Sequence, residues 1–128
     1  MSPVFLSLDE VIEIHQDMIE RYGGSAGIRD MGLLQSAVAV PQASFGGEFL
    51  HTDLFEMAAA YLFHIVQNHP FIDGNKRVGS AAAMVFLELN GVEAKVSNEL
   101  LAATVLDLAQ GKIAKAAIAE FLRTHSRR

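Results

Sequence analysis

The sequence predicts a single all-α domain, a compact bundle of about six helices with one short flap or hairpin. Two observations carry this. Two central segments, residues 53–68 and 75–90, are apolar around nearly their whole circumference, the pattern of buried helices. The segments flanking them are amphipathic, with apolar residues at 3- and 4-residue steps. At 128 residues the chain is the size of one domain, 1–128, able to bury roughly two thirds of its unfolded surface.

The elements follow in order. Ser7-Leu8-Asp9-Glu10 fits a capping box, with Ser7 as the cap and Glu10 three residues later. Leu8, Val11, Ile12, His15, Met18, Ile19 and Tyr22 then line one stripe of a helix that Gly23-Gly24 ends. His15, on that stripe, reads as a packed histidine rather than a ligand. A second helix is expected from Asp30 to Val40, stopped by Pro41. Residues 41–52 carry Gly46-Gly47 between Phe45 and Phe49, which fits a hairpin or flap and equally a plain surface loop. The two apolar helices follow, the first capped by Thr52 or Asp53, the second closed by Gly91. Residues 92–96 are expected to be briefly extended. Ser97 opens a helix running to Gln110, and a last amphipathic helix carries Ile113, Ala117, Ile118, Phe121 and Leu122. Arg123, Arg127 and Arg128 read as a solvated tail, and His51 and His125 as surface residues.

Composition narrows the function. The net charge of −5 argues against a direct nucleic-acid binder, which would normally be basic. There are no cysteines, which excludes disulfides and thiolate metal sites and leans towards the cytoplasm. The N-terminal residues lack a basic region followed by a long apolar run, so a secretory signal is not expected. No apolar run approaches about 18 residues, so no membrane span is expected. Apolar content of 51% is high for an acidic domain and hints at a patch that a partner covers.

The chemistry concentrates in His69-Pro70-Phe71-Ile72-Asp73-Gly74-Asn75-Lys76-Arg77, between the two apolar helices. Rigid scaffolds tend to present chemistry on such loops. Gly74-Asn75 falls where a helix begins, and a first turn offers unpaired N–H groups and a dipole favouring anions. Cations in that turn oppose the dipole, so Lys76 and Arg77 make sense if the site holds phosphate oxygens. Asn75 can cap the helix or donate its amide. Asp73 is then a carboxylate beside phosphate, suited to Mg²⁺. His69, at the end of the preceding helix, can accept a proton near neutral pH. Together these residues suggest transfer of a phosphate-containing group to a hydroxyl, with His69 as base. The bland alternative is that His69 and Asp73 only cap helices and the cations only face solvent. No Walker A pattern is present.

This stretch resembles the motif of the Fic/Doc family, His-x-Phe-x-Asp/Glu-Gly-Asn-Gly-Arg-x-x-Arg, at His69, Phe71, Asp73, Gly74, Asn75 and Arg77. Lys76 replaces the last glycine, and Ser80 stands where the second arginine would be. Both departures resemble the death-on-curing branch, the toxins of toxin–antitoxin pairs; Gly74, by contrast, matches the broader Fic pattern. The likeness extends to Arg21-Tyr22-Gly23-Gly24, Asp53-Leu54-Phe55-Glu56, Ala60-Tyr61-Leu62 and Asn90-Gly91-Val92. The resemblance implies a Fic fold, with His69 as general base, Asp73 on Mg²⁺, and Gly74, Asn75, Lys76 and Arg77 around the phosphates of ATP. Phe71 would position the motif. Phe45, Gly46, Gly47 and Phe49 would form the flap that aligns a target segment by backbone pairing. It further implies transfer of the γ-phosphate of ATP to a protein hydroxyl, a threonine of elongation factor Tu, arresting translation. No inhibitory Ser/Thr-x-x-x-Glu-Gly/Asn helix is visible, so restraint is expected from an antitoxin helix in an apolar groove. Two alternatives stand: an AMP transferase of ordinary Fic type, which Lys76 and Ser80 disfavour, and a non-catalytic partner-binding module, which His69, Asp73 and Asn75 disfavour.

Overall fold

A computed structural model describes residues 2–127. Its helices are α1 (Leu8–Tyr22), α2 (Met31–Ala39), α3 (Leu54–Asn68), α4 (Asn75–Leu89), α5 (Asn98–Ala109) and α6 (Lys115–Thr124). Two small antiparallel sheets complete it: β1 (Ser44–Phe45) with β2 (Glu48–Phe49), and β3 (Glu93–Ala94) with β4 (Ser126–Arg127). The expected all-α bundle with one short hairpin is what forms.

Ser7 and Ser97 cap the helices expected of them, Asp53 rather than Thr52 caps α3, and Asp30 is the cap of α2 rather than its first residue. Ser7 accepts from the Glu10 N–H while Glu10 returns to the Ser7 N–H, completing the capping box. Asp30, Asp53 and Ser97 cap α2, α3 and α5 through the N–H three residues on. Pro41 does not end the chain's turning outright. It sits in a 3-10 turn, Val40–Gln42, because its fixed φ suits the first turn of a helix. At the hairpin the open choice resolves: Ser44 pairs with Phe49 and Phe45 with Glu48. Gly46 (φ 61°) and Gly47 (φ 82°) both take the left-handed conformation, the turn that matches strand twist.

Helix α3 is the axis of the bundle. It packs on α2, α4 and α6, and ten of its residues are buried. Tyr61, from its middle, receives the Leu6 N–H at 2.8 Å and so ties the N-terminal segment to the core. Asn90 does the same from the end of α4, bonding both the N–H and the C=O of Val4. Because α3 and α4 are both buried, the loop joining them, 69–74, is fixed at both ends.

Two expectations about the surface need correcting. The C-terminal residues are not simply a solvated tail. Arg123 belongs to α6 and pairs with Asp53 at 2.7 Å, and Arg127 lies in β4 against Glu93. Arg128 is outside the described residues. The period-2 signal of a two-residue strand is too short to read from sequence, and only its partner segment 92–96 was legible. Nor are His51 and His125 free surface residues. His51 is half-buried beside Lys115, and the His125 Nδ1 bonds the Phe121 carbonyl at 2.9 Å.

Candidate functional site

The motif loop is built from the inside outward. Phe71 is fully buried and stacks on His15, with ring centroids 4.0 Å apart and planes 5° from parallel. The Asn75 side chain turns back onto it, accepting the Phe71 N–H and donating to the Phe71 C=O, each at 3.0 Å. That bond pair closes the loop into a ring of five residues. Asn75 is buried, and one of its two amide N–H groups is taken by this brace. It does not cap α4, whose N-cap is Gly74, and what it can offer the pocket is its backbone N–H and the one amide N–H that the brace leaves unused.

His15 supplies a second brace. Its Nε2 donates to the Asp73 carbonyl at 3.0 Å, so the histidine read as packed is packed on the motif itself. The Asp73 carboxylate faces solvent yet is held by two backbone donors, the N–H of Ser25 at 3.1 Å and of Gly74 at 2.9 Å. The Ser25 bond, then the Gly74 bond, hold its carboxyl below the usual carboxylate range. Gly24 makes the Ser25 contact possible. A Cβ there would stand 2.7 Å from Asp73 Oδ2, and its φ of +114° suits glycine alone.

The segment after α1 is a strap over the loop, and sequence reading missed it. The N–H groups of Arg29 and Asp30 donate to the Pro70 carbonyl at 2.7 and 3.0 Å, and the Ile72 N–H donates to the Gly27 carbonyl at 3.1 Å. Ile28 and Phe71 form an isolated bridge between them. Arg29 reaches further, with its guanidinium on the carbonyls of Asn68 and His69. Arg21-Tyr22-Gly23-Gly24 and the glycines near it were the signal available, since paired glycines mark a chain that must pass close to something.

His69 caps α3 in a left-handed conformation (φ 51°, ψ 51°), the one non-glycine residue with positive φ among the described residues. Such a conformation costs about 1 kcal/mol or more and persists where its surroundings enforce it. The consequence is that the chain reverses sharply and leaves the His69 side chain exposed.

Helix α4 starts at Gly74 (φ 81°), which brings no side chain to the free N–H groups of its first turn. Lys76 and Arg77 are exposed at that end, and Arg77 lies over the Tyr22 ring, 4.9 Å from its centroid. One open pocket of about 600 Å³ gathers His69, Asp73, Gly74, Asn75, Lys76 and Arg77. Phe71, fully buried, is not among its lining residues. Phe45, Gly46, Gly47 and Phe49 do not line it; the hairpin stands apart, with Phe45 83% exposed and Phe49 edge-on to Phe5. Ser80 is turned to its own helix, its hydroxyl donating to the Lys76 carbonyl at 2.9 Å. Among the described residues no three His, Asp or Glu side chains gather into a metal cluster. The donor set fits Mg²⁺ bound with phosphate: one anchored, ionised carboxylate, with phosphate oxygens and water left to fill the remaining positions.

These features define an all-helical protein that carries an exposed histidine, an anchored carboxylate and a cationic helix start on one strapped loop. Comparison with known proteins says which such protein. The Fic/DOC family model matches residues 5–87, and the chain belongs to the Fic/Doc family. It is 39% identical over 118 residues to "Protein kinase doc" of Escherichia phage P1, covering 92% of each chain. It is 47% identical over 72 residues to "Toxin Doc" of Mycolicibacterium smegmatis, 56% of this chain and 55% of that one.

Proposed function

We propose that the chain is a Doc-like toxin, acting as a single domain over residues 1–128, that transfers the γ-phosphate of ATP to a protein hydroxyl. The observation that carries this reading is the shared pocket. It places an exposed imidazole, a fixed carboxylate and an open helix N-terminus with two cations around one space. The near full-length likeness to a protein named as a kinase supports the reaction type.

ATP is the phosphate donor. The backbone N–H groups at the start of α4, with Lys76 and Arg77, hold its phosphates and offset the charge that develops as the γ-phosphoryl leaves. Asp73 holds Mg²⁺, which neutralises phosphate charge when bound. His69 takes the proton of the acceptor hydroxyl as its oxygen attacks the γ-phosphorus, the bond from that phosphorus to the β–γ bridging oxygen breaks, and ADP leaves with the electron pair. Lys76 occupies space that ordinary Fic proteins leave to a glycine, and Ser80 offers no second guanidinium, so an AMP-transferring pose is disfavoured.

Phe45, Gly46, Gly47 and Phe49 act as the flap that aligns the target. The hairpin's exposed edge suits backbone pairing with an extended segment. The target is a threonine of elongation factor Tu, and the setting is the cytoplasm. Among the described residues no helix is long and apolar enough to cross a membrane. The antitoxin helix docks in an apolar groove of about 590 Å³ lined by Met18, Tyr22, Ala81, Met84, Leu101 and Val105. That groove also reaches Lys76 and Arg77, so a helix seated there would cover the cations.

The test is to incubate the protein with Mg-ATP and elongation factor Tu and weigh the factor as an intact protein. A phosphate-sized gain, absent with His69→Ala, supports the reading. An AMP-sized gain overturns the reaction type, and no gain overturns the target.

A further inference from the structure

A second polar cluster lies away from the motif, where α3, α6 and the segment after β2 meet. Lys115 Nζ is 3.2 Å from His51 Nε2 and 3.1 Å from His64 Nε2. All three side chains are half-buried. His51 and Lys115 open into a pocket of about 280 Å³ whose other walls are Glu56, Arg123 and three alanines, Ala59, Ala116 and Ala119.

The surroundings of Lys115 oppose an ammonium ion in three ways. It is partly removed from water, which penalises the charged form. It is the first residue of α6, at a helix start that has no capping side chain and whose dipole disfavours a cation. Its two nearest polar neighbours are imidazoles, which become cations themselves when protonated. Two groups act the other way. Glu56 lines the pocket but is tied to the Thr52 N–H and hydroxyl, and the Phe63 ring lies 5.7 Å below the amine. Arg123, on the far wall, is paired with Asp53 and Glu120. Among the described residues Lys115 has no ion pair, whereas Lys95 pairs with Glu93 at 2.9 Å.

We infer that Lys115 is a nucleophilic amine and a site of acylation by acyl phosphates, the alanine walls leaving room for the acyl group. The lone pair of the unprotonated amine attacks the acyl carbon. A C–N bond forms, the C–O bond to phosphate breaks, and phosphate leaves with that electron pair. The proton lost from nitrogen passes to His51 Nε2 and on to solvent. The product is a neutral amide with one N–H, which can serve one imidazole instead of two. His51 lies two residues beyond β2, so acylation loosens the base of the hairpin where α3 and α6 meet. This site does not depend on the reaction at His69.

The full chain is treated with acetyl phosphate from about pH 6.5 to about pH 9, and acetylation of each lysine is timed by peptide mass spectrometry. Lys115 is expected to react several-fold faster than the exposed Lys112, with its rate levelling off at lower pH. A Lys115 rate equal to or below that of Lys112 throughout would overturn the inference. Lys115→Arg, which puts a non-nucleophilic, always charged guanidinium in its place, is expected to remove the fast phase. Its persistence on another lysine would equally overturn it. Hydrogen exchange over residues 44–51 is expected to rise several-fold in the acetylated protein, and unchanged exchange would refute the coupling to the hairpin.

Discussion

Arg29 holds the backbone of His69. Its Nε donates to the His69 carbonyl at 2.6 Å, and a terminal nitrogen donates to the Asn68 carbonyl at 2.9 Å. Both carbonyls sit at the C-terminus of α3, where unpaired acceptors and the helix dipole favour a cation. The grip fixes the left-handed turn from which the His69 side chain leaves the helix. Arg29→Ala should lower kcat for phosphate transfer about tenfold or more with little change in KM for ATP, because a misplaced base costs rate more than binding. Arg29→Lys should recover part of the loss through its charge. Equal kcat in all three proteins would show that the grip is dispensable.

The Asn75 side chain makes a prediction about stability. Asn75→Ala would strand a buried N–H and C=O of Phe71, at about 1–3 kcal/mol for such a group. A loss of about 2–4 kcal/mol in urea unfolding is expected. A loss under about 0.5 kcal/mol would mean that water replaces the brace.

Gly24 should tolerate nothing larger. Gly24→Ala places a Cβ 2.7 Å from Asp73 Oδ2 at a φ of +114°. Strain of this kind costs about 1–3 kcal/mol. The displaced carboxylate should also weaken Mg²⁺-dependent binding of ATP, measured by calorimetry with and without the metal. Unaltered stability together with unaltered binding would contradict the strap's role.

His64 sets an acid limit. Burial first, then the charge of Lys115 and of His51, push its imidazole down from the ordinary 6.5 to about 4. Below pH 6.5 the unfolded chain therefore takes up a proton that the folded chain refuses until about pH 4. Stability should fall as pH drops through this window. Solvent screening of a half-buried group reduces the effect to about 1–2 kcal/mol. His51 is shifted the same way, by burial and then by Lys115, and adds to the slope. His64→Gln should flatten the curve of unfolding free energy between those values; an unchanged slope would remove His64 from the account.

Much of this was legible in the sequence because local physics dominates it. Ser7 and Glu10 announce α1 and Ser97 announces α5, whereas the choices between Thr52 and Asp53 as the cap of α3 and between hairpin and loop at Gly46-Gly47 stayed open until the structure decided them. The motif residues lie within nine positions, so no long-range contact was needed to gather His69, Asp73 and Arg77. The strap was not legible, because Arg29 meets His69 across 40 residues and carries no pattern of its own. The brace from His15 to Asp73 spans 58 residues, and the cluster of His51, His64 and Lys115 draws on three separate elements. Asn75 differs: its position invited a helix cap, whereas Gly74 is the N-cap of α4 and the Asn75 side chain satisfies a buried peptide group.

The most direct measurement supplies Mg-ATP labelled at the γ-phosphate in one reaction and at the α-phosphate in another, with bacterial lysate as acceptor. The account predicts that protein takes up label from the γ-position alone, and that His69→Ala abolishes uptake. Transfer of α-label would contradict the nucleotide orientation argued from Lys76 and Ser80. Undiminished γ-transfer by His69→Ala would contradict the role of His69 as base.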